Sequence, residues 1–217
     1  LLLGAWGQLG TEGYIPNGKI IKVDDLEMYV VGDSEKCVIW NHDIYGFNSG
    51  RTRHLADTLA EEGYLVIVPD FFRGTYINPT EPGAVEFVIQ QSNWTKLKGD
   101  WENIILPFAK EKGATRFGSI GTCWGSYMVL RESTYAEIKV GVSMHPSHTS
   151  ISQLVGEEEK ELLKAVQCPQ LFMPSESDAA ETKPGGLAEE VLGDNLEIIE
   201  FNAVSYTHLT LPTTPYV

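Results

Sequence analysis

Basic residues are scarce in this chain: 16 Lys and Arg stand against 30 Asp and Glu, for a formal net charge of −14. Phosphate backbones and anionic headgroups repel such a surface, which argues against nucleic acid and an anionic membrane surface as partners. Cysteine is equally sparse. Cys37, Cys123 and Cys168 are far apart, odd in number and without a C-x-x-C spacing, so neither a disulfide framework nor a zinc site is expected, and the cytosol is the expected compartment. No run approaches the roughly 20 apolar residues needed to cross a bilayer. There is no internal repeat and no linker. An initiator Met is also missing, so the chain is expected to begin inside a longer one; Leu1-Leu2-Leu3 is too short to assign as a targeting segment.

What is present is ordinary globular material. The 217 residues, 42% hydrophobic, suffice for one α/β domain with a real core. Residues 1–17 read as an irregular lead-in. Lys19 to Val23 and Leu26 to Val31 read as two antiparallel strands turning at Asp24-Asp25. From Cys37 onward, apolar runs alternate with helical stretches: strands at 37–41, 64–70, 116–123, 139–144, 169–174 and 196–201, helices at about 49–62, 81–91, 94–112, 157–166 and 187–192. Pro107 should kink or break the 94–112 helix. Such alternation predicts a mostly parallel sheet with helices on both faces.

The most informative stretch is Gly121-Thr122-Cys123-Trp124-Gly125. A sharp strand-to-helix turn needs small residues two before and two after its apex, where a Cβ would collide with the crossing backbone. At the apex a side chain stands clear at the sheet edge, near the free N–H groups of a helix N-terminus. The plainer alternative is a buried Cys in a glycine-rich turn. In a parallel sheet reactive groups collect at the C-terminal ends of strands. Those ends carry Asp43 and Ile44, Asp70 and Arg73, Cys123, His145 and His148, and Asp178. Cys123 followed by Asp178 fits the chain order nucleophile, acid, histidine of an α/β-hydrolase, with the N–H groups of Trp124 and Ile44 able to receive an oxyanion.

The motifs His42-Asp43-Ile44-Tyr45-Gly46, Leu55-Ala56-Asp57, Glu62-Gly63-Tyr64, Pro69-Asp70-Phe71-Phe72-Arg73, Gly121-Thr122-Cys123-Trp124-Gly125 and Ser177-Asp178 together resemble the dienelactone hydrolase (carboxymethylenebutenolidase) family, over roughly Leu26 to Phe201. The resemblance implies an α/β-hydrolase fold over residues 18–202 and a cofactor-independent hydrolase that opens a carboxylated lactone or ester. It further implies Cys123 as nucleophile, Asp178 as triad acid, Ile44 and Trp124 as oxyanion hole, Asp43 beside the resting cysteine and Arg73 on the substrate carboxylate. Outside that resemblance Asp43 reads as a loop cap and Arg73 as a solvated charge. Residues between Gly74 and Trp101 are expected to set the substrate.

The pattern breaks at the histidine, which the family places a few residues after the last strand. Tyr206 stands where it is expected, and the nearest candidate is His208. The tail from about Ala203 also resembles a translated cloning adapter, so residues 203–217 are expected to be non-native and the closing C-terminal helix to be missing. His145 and His148 form a His-x-x-His at a strand end, but no spacing supplies the third ligand of a metal site. They are expected to line the pocket mouth or satisfy local backbone, without a catalytic role. No metal or cofactor is expected. Two other functions fit parts of the pattern. A class I glutamine amidotransferase shares G-x-C-x-G but needs a His-x-Glu absent after the elbow, and a non-catalytic binding protein could use the same scaffold.

Overall fold

A strand buried on both faces needs a helix layer on each. The run beginning at Lys36 sends Cys37 and Ile39 into one apolar cluster and Val38 and Trp40 into another, because successive strand residues point to opposite faces. The computed structural model, which describes residues 14–48, 51–78 and 80–201, has those two layers.

β1 (Lys19–Val23) and β2 (Leu26–Val31) form the expected antiparallel hairpin, with Asp24 in the left-handed region at its turn. β3 (Lys36–Asn41) leads to α1 (Thr52–Glu61) and β4 (Leu65–Pro69). α2 (Ala84–Gln91) and α3 (Trp94–Asp100) follow. The long helix does break as Pro107 requires: α3 widens into a π turn over Trp101–Ile105 before α4 (Leu106–Glu111) resumes, with Pro107 in its first turn. Proline has no N–H to donate to the preceding turn, and the wider turn accommodates that missing bond. β5 (Arg116–Cys123), α5 (Gly125–Glu132) and β6 (Ile138–Pro146) come next. The chain continues with α6 (His148–Val155), α7 (Glu159–Ala165), β7 (Gln170–Met173), α8 (Leu187–Leu192) and β8 (Leu196–Ile198).

The described strands make one sheet in the order β1-β2-β4-β3-β5-β6-β7-β8, parallel from β4 through β8 and antiparallel at β1 and β2. α1 lays Leu55, Ala56 and Leu59 on the Val38 and Trp40 face. The opposite face holds the larger cluster, with Leu97, Trp101, Ile105, Met128 and Leu130 packed on Ile39, Ile67 and Phe117. On the α1 side a hollow of about 330 Å³ remains, lined by Val38, Ile120, Val140 and Val142. The expectation of a missing C-terminal helix falls on residues outside those described. No helix of the described residues is long and apolar enough to cross a membrane.

Chain order reverses beside β3, whose two neighbours are β4 and β5. A parallel sheet opens a crevice at the carboxyl ends of strands at such a switch point. The loop that starts at His42 and the end of β5 therefore face each other there.

Candidate active site

Cys123 ends β5 with φ of 55°, in the left-handed region that costs a side chain about 1–2 kcal/mol. The two flanking glycines are required for the reason read from the sequence. A Cβ on Gly121 would overlap the carbonyl of Gly125, and one on Gly125 would overlap the carbonyl of Asn41. Asn41 is the last residue of β3, so the second glycine also brings that strand end against the elbow. Trp124 then opens α5. Arg73, in the turn after β4, and His145, near the end of β6, carry the same strain, with φ of 54° and 49°, and such outliers gather at sites where surroundings over-determine the backbone.

The sequence reading gave His145 no catalytic role; the structure sets it beside Cys123. In the β5–β6 ladder Thr122 pairs with Met144 but Cys123 pairs with Pro146, so His145 is the extra, bulged residue. A bulge re-aims a side chain at a strand end. Here Nδ1 of His145 meets Oδ1 of Asp178, and the same ring hydrogen-bonds with Cys123. Burial opposes a charged imidazole, but the Asp178 carboxylate and Cys123 outweigh it and the pKa of His145 is pushed up to about 10. Asp178 is likewise desolvated, yet His145 and the Ser175 N–H, at 2.7 Å from Oδ2, hold its carboxyl below the usual range. Ser147 adds its hydroxyl at 3.6 Å from the Cys123 sulfur and donates its N–H to Ser126 Oγ at 2.8 Å.

The sequence reading sought the histidine after the acid, following the chain order of the fold, and so passed over His145. A signal was available: His145 ends the strand adjacent to the elbow strand, between Cys123 and the Asp178 loop. His208 lies outside the described residues.

The loop after β3 is held by aromatic packing. His42 is fully buried, stacked on Trp124 at 5.6 Å between centroids and set edge-on to Phe72 at 4.5 Å. Its Nδ1 donates to the Asp43 carbonyl at 2.6 Å, and burial pushes its pKa down to about 4, so the ring is neutral. Trp124 is buried too, its indole N–H on Ser92 Oγ at 2.9 Å. Stacking thus couples the segment carrying Ile44 to the residue after the cysteine. Asp43 is buried and its Oδ1 caps the turn by accepting the Tyr45 N–H at 2.9 Å. Phe87 of α2 stands edge-on to Phe72 at 5.3 Å, while Val85 and Ile89 of the same helix are exposed.

Arg73 is not a solvated charge. Its guanidinium makes a two-point pair with Asp100, at 2.8 Å for both bonds, and a second with Asp25, at 3.0 and 3.2 Å. Asp25 is largely exposed and Asp100 nearly buried, so the Asp25 pair is the weaker.

His148 does not line a pocket mouth. It is fully buried at the start of α6, with Nε2 3.2 Å from Oε1 of Glu159 and its ring against Phe172. The two histidines of the His-x-x-His therefore serve different carboxylates. Among the described residues no group of His, Cys, Asp and Glu is arranged to hold a metal ion.

The model of the dienelactone hydrolase family matches residues 27–199. The rat carboxymethylenebutenolidase homolog is 31% identical over 136 residues, 59% of this chain and 55% of that protein, and the human homolog 33% identical over 138 residues with the same coverage. The chain thus spans about half the length of these relatives. Among solved structures, a protein described as a dienelactone hydrolase from Klebsiella pneumoniae superposes with a TM-score of 0.63 at 20% identity, over 81% of this chain and 79% of that one. A cold-adapted esterase from an Arctic intertidal metagenomic library gives 0.64 at 16%, over 87% and 89%. At these identities the structural likeness establishes the α/β-hydrolase fold.

Proposed function

Because the chain belongs to the dienelactone hydrolase family, we propose that it hydrolyses a lactone or carboxylic ester through a thioester on Cys123, with His145 and Asp178 completing the catalytic group. The observation that carries this reading is the convergence of a strained cysteine, a bulged histidine and a buried aspartate at three adjacent strand ends.

With Nδ1 on Asp178, Nε2 of His145 is the nitrogen that exchanges a proton with the sulfur. Sγ of Cys123 adds to the carbonyl carbon, and the resulting oxyanion is received by the N–H groups of Trp124 and Ile44. The C–O bond then breaks, and His145 protonates the leaving oxygen, which stays tethered when the substrate is a lactone. Water, losing its proton to His145, attacks the thioester and returns the sulfur. Asp43 holds the Ile44 turn in place. Arg73 receives a substrate carboxylate by exchanging its exposed partner Asp25, a two-point contact for which guanidinium is suited.

The test is hydrolysis of aryl esters and carboxylated lactones by the chain and its Cys123→Ala, His145→Ala and His208→Ala variants. Activity abolished in the first two and retained in the third supports the reading. Activity that survives His145→Ala but disappears in His208→Ala assigns the base to His208 instead. Absence of turnover, with Cys123 no more reactive toward iodoacetamide than a free thiol, favours a binding protein on a hydrolase scaffold.

A further inference from the structure

The last residue of α5, Glu132, is completely buried beneath the elbow. Its Oε2 accepts from Ser119 Oγ at 2.6 Å and from the Asn41 carboxamide Nδ2 at 3.1 Å. Asn41 Nδ2 also reaches Ser119 Oγ at 3.0 Å and the Ile120 carbonyl at 3.2 Å. One carboxyl group therefore joins the end of β3, the middle of β5 and the far end of the helix that starts at the elbow. Two atoms in this cluster are left over, Glu132 Oε1 and Asn41 Oδ1, both buried and without a hydrogen-bond partner. Both are acceptors as drawn, and buried acceptors without donors are costly.

A carboxylic acid and a carboxamide can pair at two points: the amide N–H donates to one carboxyl oxygen while the acid O–H donates to the amide oxygen. The first of these bonds is present, and the second needs one proton on Glu132 Oε1. That proton supplies the donor missing for both leftover atoms. Resting on the proposed reaction, we propose that Glu132 is a positioning residue that, as the neutral acid, clamps Asn41 and with it the His42–Ile44 loop against the Cys123 elbow. The electrostatics agree. Burial, only partly opposed by the Ser119 and Asn41 hydrogen bonds, pushes the pKa of Glu132 up to about 8, and no cation of the described residues is among the groups acting on it. The titratable group that feels its charge is Cys37 of β3, whose thiol is pushed up to about 12 by burial and by Glu132.

The sign is fixed by linkage. A carboxyl whose folded pKa is raised gives stability that is complete below the ordinary carboxylate range and is lost as pH rises through about 8. Glu132→Gln keeps the shape, and its amide can donate to Asn41 Oδ1 at every pH; Glu132→Ala removes the clamp. The experiment follows thermal melting against pH, and the rate at which iodoacetamide alkylates Cys123 read by mass spectrometry, in the chain and both variants. Neither readout needs turnover, so failure of the hydrolase reading leaves this one decidable. Between pH 4.5 and 6.5, below the range in which His145 titrates, Glu132→Gln should lose the decline in melting temperature and keep the parent's alkylation rate, while Glu132→Ala changes that rate by about tenfold through the misplaced elbow. Should Glu132→Ala not fold, Glu132→Asp, too short to reach Asn41, takes its place. A decline between pH 4.5 and 6.5 that persists in Glu132→Gln, or an alkylation rate altered in Glu132→Gln as much as in the truncated variant, overturns the proposal.

Discussion

Two histidines three residues apart each meet a carboxylate, and the difference between them lies on the far side of the ring. His148 is sealed: it begins a regular helix, faces Glu159 and packs against Phe172, with no exposed side-chain surface. His145 keeps 19% of its side chain exposed, sits on a bulge in the left-handed region and faces Cys123 beyond Asp178. A histidine–carboxylate pair by itself is therefore a poor marker of chemistry. What separates the two is the combination of backbone strain, residual access and a third partner, the Cys123 thiol.

The comparison breaks most visibly in turnover. Cys123→Ala and His145→Ala should each lower kcat/KM for ester hydrolysis by about 10⁴-fold or more, and the double variant should be scarcely worse, because members of such a unit do not add. Asp178→Asn should cost about a hundredfold less than either. His148→Ala, by contrast, should leave kcat/KM of the folded protein unchanged. Its effect is on stability: removing one partner of a buried pair costs about 3 kcal/mol, at the low end for such pairs because Glu159 retains some contact with water, which lowers the melting temperature by roughly 6–12 °C. If His148→Ala slowed turnover as much as His145→Ala, the two histidines would not differ in function. A smaller effect is expected in the turn after β4, where Arg73→Lys should raise KM for carboxylated substrates by about tenfold and leave uncharged esters alone, since lysine cannot make the two-point contact.

The same contrast shows what was legible in the sequence. The hairpin at Asp24, the apolar strands and α8 follow from periodicity and turn chemistry, which are local. Gly121 and Gly125 were legible as a steric requirement, and the structure supplies the colliding carbonyls. α6 was not foreseen: His-Thr-Ser-Ile-Ser-Gln is poor helix material by propensity, and its one clear signal, Gly156 as left-handed stop, is easily taken for loop. The placement of His145 was not legible for a different reason. It depends on which strands are neighbours and on a one-residue bulge, and neither is encoded in spacing along the chain. Arg73 sat in a recognised motif, but its carboxylate partners, Asp25 and Asp100, lie 48 and 27 residues away.

The smallest effect separates the two pairs by pH. Glu159 is desolvated, but His148 and Thr149 outweigh that and hold its carboxyl low. A lowered carboxylate gives stability that is present above the ordinary carboxylate range and fades as pH falls through the folded pKa. His148→Ala should accordingly flatten the acid side of a melting-temperature profile. Asp178 has the same direction and adds its own acid limb. His145 works in the opposite sense. Its pKa rises from the ordinary 6.5 to about 10, so the stability it gives is complete below pH 6.5 and is lost on going up through 10. His145→Ala should therefore flatten the alkaline side as well. Glu132 also loses stability as pH rises, but its limb ends near pH 8, so the interval from 8 to 10 in a Glu132→Gln background isolates the histidine. Cys37 contributes a limb starting near 9, but it is common to the two His145 forms in that background and cancels in the difference. If the difference profile between the two His145 forms is flat from 8 to 10, His145 is not held as an imidazolium against Asp178 and Cys123, and the two histidines become equivalent structural pairs.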